Sequence, residues 1–209
     1  MNLEEIVRKE LLSEQGRKRD VIRKVIKDIV TVYKNEDEGE FYLPEYFEDR
    51  DEMVYDFMTM GESFNLELIL EINDEIPNFR VNAEIYNDEH LIKLVVQYNS
   101  EMKERILYDL IGELNEVIAH ELRHITQDIR GTFVSKSYRG KDPVKYYTQP
   151  KELDAQVFGF NRLSKLTRTP FEEVVNRWFE THRDIHQLDD KGINTVIRKL
   201  LQFRRDGMV

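Results

Sequence analysis

The stretch Val117-Ile118-Ala119-His120-Glu121-Leu122-Arg123-His124 decides how this chain is read. Residues four apart on a helix share a face, so the imidazoles of His120 and His124 can reach one ion. Glu121 lies about a quarter-turn round from His120. From there it can hydrogen-bond a water on such an ion without ligating the ion itself. Chance is a poor explanation. With 5 histidines and 25 glutamates in 209 residues, random placement yields on the order of 0.01 matches of this pattern.

The surroundings of the motif are helical. Leu107, Leu110, Ile111, Leu114, Val117, Ile118, Leu122 and Ile125 form a broad apolar face, which predicts a helix over 102–129 ended by Gly131. Residues 131–149, with Gly140 and Pro143, read as a long loop. Pro150 then suits the first turn of a helix over 150–166.

Two histidines make an incomplete catalytic site, because such a metal wants three protein ligands and an open position. Glu152, early on the helix after the loop, is the leading third ligand. Ala155, three residues on, is small enough to permit close approach of the two helices. Asp154 is a rival ligand or a hydrogen-bond partner for a ligand histidine. His90, His182 and His186 are further candidates. His182 and His186 are also four apart, but Arg183 follows the first, which is poor company for a cation. They read as helix-end or surface residues, and His90 as an exposed turn residue. Tyr146 and Tyr147, just before Glu152, offer phenols that can donate to an oxyanion. Packing is their alternative role. Gln127 and Arg123 receive no role, and Trp178 with Phe179 reads as core.

Upstream, the period changes from helical to two. Phe64, Leu66, Leu68 and Leu70 alternate with Asn65, Glu67 and Ile69. Phe79, Val81, Ala83 and Ile85 form a second run, and Ile92, Leu94, Val96 and Tyr98 a third. Strands with one buried face follow. Turn residues at Gly61-Glu62, 73–78 and Asn87-Asp88 separate them, and an antiparallel meander of three or four strands is expected. Its first strand, near Val54 to Met60, has the weakest pattern.

Residues 3–33 show helical spacing with a break at Gly16, and 34–51 read as an acidic connection. Downstream, Thr169-Pro170-Phe171-Glu172 looks like a capping box opening a helix to about His182. A last helix runs from about Lys191 to Arg205. The expected fold class is α+β, one domain over 1–209. It comprises an N-terminal helical region (1–50), a small antiparallel sheet (53–98), metal-site helices (102–166) and C-terminal helices (167–209).

Composition excludes several functions. A net charge of −10 disfavours a nucleic-acid partner, since phosphate backbones repel an acidic chain. The short basic runs Arg17-Lys18-Arg19 and Arg204-Arg205 sit among acids and read as solvated helix surface. There is no cysteine, hence no disulfide, no thiolate ligand and no cysteine nucleophile. Met1-Asn2-Leu3-Glu4-Glu5 resembles no signal peptide. No run nears the roughly 20 apolar residues of a membrane span, so no membrane partner is expected. The expected compartment is the cytoplasm, or a virion packaged after synthesis there.

At His120-Glu121-Leu122-Arg123-His124 and Glu152-Leu153-Asp154-Ala155 the chain resembles the zincin metallopeptidases, more narrowly the gluzincins. It is similar in style to small zincins encoded by phages and bacteria. The resemblance implies one zinc ion per chain on His120, His124 and Glu152, with Glu121 as general base. It implies a twisted sheet against the motif helix and a peptide or protein substrate held by strand addition. The architectural likeness covers about residues 64–166. A catalytically silent zincin fold, serving as a binding or virion assembly component, is the alternative.

Overall fold

The computed structural model describes residues 21–47, 55–56, 63–86, 91–132 and 141–207. The chain is a mixed α+β protein of two compact units, Met1–Glu121 and Leu122–Val209. Expectations for 3–20, Gly16, the turns at 61–62 and 87–88, His90 and Gly140 lie outside the described residues.

In the first unit, helix α1 (Val21–Asn35) places Ile22, Val25, Ile26, Ile29, Val32 and Tyr33 on one buried stripe. These positions recur every three or four residues, as an amphipathic helix requires. Strands follow as β1 (Gly39–Tyr42), β2 (Tyr55–Asp56), β3 (Ser63–Ile72), β4 (Phe79–Tyr86) and β5 (Leu91–Tyr98). A single-turn helix α2 (Leu43–Tyr46) interrupts the series after β1. The segment expected as a connection over 34–51 therefore contains a strand and a helical turn. The alternation Gly-Glu-Phe-Tyr is too short to announce a strand by itself. Pairing with β3 makes it one, with Phe41 opposite Leu68.

The expected antiparallel meander is corrected. The sheet order is β1-β3-β5-β4, with β2 also pairing β3. β3 and β5 run parallel, while β4–β5 and β1–β3 are antiparallel. The reason lies in residues 73–78, which cross the end of β5 instead of forming a hairpin. Asn73 N–H donates to Tyr98 O, Asn99 N–H to Asn78 O, and Ser100 N–H and Oγ to Asp74 Oδ1. Skipping one strand position spans about 10 Å, two strand spacings. Six residues reach that distance easily.

The alternation itself is as expected. Phe64, Leu66, Leu68 and Leu70 are buried, and in register with them Ile92, Leu94 and Val96. The other face pairs Glu67 with Lys93 at 3.2 Å and Glu71 with Gln97 at 2.8 Å. Tyr33 and Tyr98 meet edge to face, Tyr98 hydroxyl donates to Asp37 O, and Lys103 Nζ lies over both rings.

Helix α3 (Leu107–Arg130) carries the motif and crosses from the first unit into the second. Leu110, Ile111, Leu114, Ile118, Ala119 and Ile125 are buried along it. It ends at Gly131, whose φ of +60° suits a residue without Cβ. Thr132 N–H reaches back to Gln127 O at 3.1 Å, closing the helix as expected.

The second unit holds α4 (Pro143–Tyr147), α5 (Pro150–Thr167), α6 (Phe171–Thr181), α7 (Arg183–His186) and α8 (Asp190–Arg205). One cluster joins them: Leu153, Val157 and Phe160 of α5, Val174, Val175 and Phe179 of α6, and Val196, Leu200 and Phe203 of α8. The loop expected over 131–149 thus contains α4, capped by Asp142 Oδ1 accepting from Lys145 N. The capping box at Thr169 is corrected. The N-cap is Pro170, without a side-chain hydrogen bond, and the first helical bond runs from Val174 N to Pro170 O. Among the described residues no helix is long and apolar enough to cross a membrane.

Candidate metal centre

His120 and His124 stand one turn apart on α3, and Glu152 on the first turn of α5. Each offers one ligand atom, and these atoms all lie within 4.8 Å of one another. His124 Nε2 and Glu152 Oε2 are 3.5 Å apart. An ion with bonds of about 2.0–2.1 Å to tetrahedral ligands separates them by about 3.3–3.4 Å. That edge is therefore near the size zinc needs. It is too long for a charge-assisted hydrogen bond. The donor set, two imidazoles and a carboxylate, also suits zinc.

Glu152 is only 9% exposed. An ordinary acid favoured by a helix dipole would stay in water, so burial beside two histidines marks it as a ligand candidate. Glu121 is half-buried. Glu116, one turn before His120, is buried, and its carboxyl is held well above the usual carboxylate range. Burial is the main cause, followed by the nearby charges of Glu113 and Glu121.

Asp154 does not join the group. Its Oδ2 accepts from Arg123 Nε at 2.7 Å and from Gln127 Nε2 at 2.7 Å, and its Oδ1 from Arg123 Nη2 at 2.9 Å. Gln127 in turn faces His124, Oε1 to Nδ1 at 2.9 Å, and donates to Lys151 O at 3.0 Å. Asp154 is thus the indirect partner, through Gln127, of the candidate ligand His124. Sequence reasoning gave Arg123 and Gln127 no role. Gln127 carried a signal, since position i+3 from His124 shares its face. Arg123 carried none, because its partner stands on another helix.

The remaining candidates go elsewhere. His186 is buried, not on the surface. Its Nε2–H donates to Phe179 O at 2.7 Å, and its Nδ1 accepts from Leu188 N at 3.0 Å. With both nitrogens engaged it is a helix-end staple and no ligand. His182 stacks on Trp178, ring centroids 4.6 Å apart, with Nδ1 2.9 Å from Trp178 O. Tyr147 packs edge-on against Phe179 and His186, while Tyr146 is 41% exposed and lies edge-on to Tyr147.

Compared with known proteins, the chain matches no family model, no curated protein and no solved structure.

Proposed function

We propose that this chain is a zinc-dependent peptidase of zincin type, with His120, His124 and Glu152 as ligands and Glu121 as general base. The observation that carries the reading is the convergence of those three donor atoms within 4.8 Å, beside a glutamate next to the first histidine. When bound, zinc supplies Lewis acidity towards a carbonyl and makes a water acidic enough to lose its proton near neutral pH. Every other part falls to the chain. Glu121 takes that proton and passes it to the leaving amine. Glu152 offsets part of the cation's charge. The imidazoles, packed on one helix, hold the geometry.

Three protein ligands is the number typical of catalytic sites, whereas structural zinc sites use four. The group comprises three among the described residues, which favours an enzyme over a silent binding protein. Tyr146, the more exposed of the two phenols, is the better oxyanion donor. The working compartment in this reading is the cytoplasm, or a virion packaged after synthesis there.

The test is elemental analysis of protein purified without chelator or added metal, on the wild type and Glu152→Ala. About one zinc per wild-type chain and clear loss in the variant is expected. A wild type that holds no metal, even after reconstitution, sinks the reading.

A further inference from the structure

Gln127 touches both His124 and the helix bearing Glu152, and the polarity of its amide can be worked out. Its Nε2 lies 3.0 Å from Lys151 O and 2.7 Å from Asp154 Oδ2. A backbone carbonyl accepts only. A carboxylate held by Arg123 through both oxygens accepts only. Both partners therefore demand N–H donors, and the two hydrogens of the Gln127 amide meet them. The amide oxygen must then be the atom 2.9 Å from His124 Nδ1. An oxygen there accepts, so Nδ1 carries the imidazole proton. In the neutral ring this puts the electron pair on Nε2, the atom 3.5 Å from Glu152 Oε2.

We infer that Gln127 is a positioning residue that sets the Nδ1–H tautomer of His124 and turns its Nε2 toward Glu152, ready for metal; this rests on the zinc-site reading. Arg123 and Asp154 serve the same end at one remove. Arg123 keeps Asp154 oriented through two hydrogen bonds, Asp154 keeps the amide from flipping, and the amide keeps the imidazole from flipping. The relay also spans the two helices that carry ligands. Gln127 reaches the carbonyl of Lys151, the residue before Glu152, and Lys151 Nζ returns to Asp128 Oδ1 at 2.6 Å. Metal affinity therefore depends on a side chain that touches no metal, as is general for groups orienting a histidine ligand.

The experiment is long-range 15N–1H spectroscopy of the His124 ring in metal-free wild type, Gln127→Ala and Gln127→Glu, with zinc affinity measured by competition against a chromophoric chelator. The wild-type ring should be the Nδ1–H tautomer. Gln127→Ala should show mixed tautomers and bind zinc about 10- to 100-fold more weakly. Gln127→Glu fills the same space but turns an oxygen against Lys151 O and Asp154 Oδ2, which accept only, and should weaken zinc binding as Gln127→Ala does, whereas a merely space-filling role predicts wild-type affinity. An Nε2–H ring in the wild type overturns the inference without any variant, so a variant that fails to fold does not shelter it. Wild-type tautomer and zinc affinity in a folded Gln127→Ala overturn it equally. A wild type that binds no zinc overturns the metal-site reading instead, and the ring spectrum still decides the tautomer.

Discussion

Arg123 grips Asp154 with two parallel hydrogen bonds, Nε to Oδ2 at 2.7 Å and Nη2 to Oδ1 at 2.9 Å, and Asp154 is 1% exposed. A buried carboxylate stripped of its cation is costly. Arg123→Met should therefore destabilise the protein by about 3–5 kcal/mol, read by urea unfolding. Adding Asp154→Leu to that variant should recover much of the loss, because no unpaired charge then remains buried. A single variant as stable as the wild type would show the pair to be ornamental.

Glu121 stands next to His120 and outside the three residues that could hold a metal ion. Glu121→Gln should keep about one zinc per chain while hydrolysis of a peptide substrate falls by about 10²–10⁴-fold. Undiminished hydrolysis in a preparation free of contaminating protease would remove Glu121 from the mechanism. Tyr146→Phe provides a milder comparison, with lowered kcat and retained zinc expected if its phenol donates to the oxyanion.

The buried carboxyl of Glu116 makes stability depend on pH in a direction that can be worked out. Its folded pKa is raised, by burial first and then by Glu113 and Glu121, above the unfolded value of about 4.3. The folded state then holds the proton more tightly, so stability falls as pH rises from the unfolded towards the folded pKa. Below about pH 4 both states are protonated and the effect vanishes. In metal-free protein, Glu116→Gln should be more stable than wild type at neutral pH and indistinguishable near pH 4. Parallel unfolding midpoints for the two proteins across this range would refute the assignment.

His186 holds two buried backbone groups together, the carbonyl of Phe179 and the N–H of Leu188. His186→Ala leaves both unpaired, at about 1–3 kcal/mol each. Thermal and urea melts should show the loss, while zinc content stays at the wild-type level. Loss of zinc without loss of stability would return His186 to the list of ligands.

How much was legible beforehand varies with the range of the interaction. The His120/His124 pair is local, four residues on one helix, and spacing alone places the rings together. The buried faces of β3 and β5 are equally local, since alternation follows from strand geometry. The end of α3 at Gly131 and the start of α5 at Pro150 follow from backbone chemistry at single residues. Glu152 was legible only as the best of several acids.

The sequence by itself determined which residues face inward and which two histidines share a face, because helix and strand periodicities are properties of neighbouring residues. The tertiary structure alone decided that β5 inserts between β3 and β4, since alternation names a face and not a neighbour. It alone sent Asp154 to Arg123 and Glu152 to His124, two acids two residues apart on one helix. On a helix such residues point about 200° apart, and only the approach of α3 settles which of them meets the histidine and which the arginine.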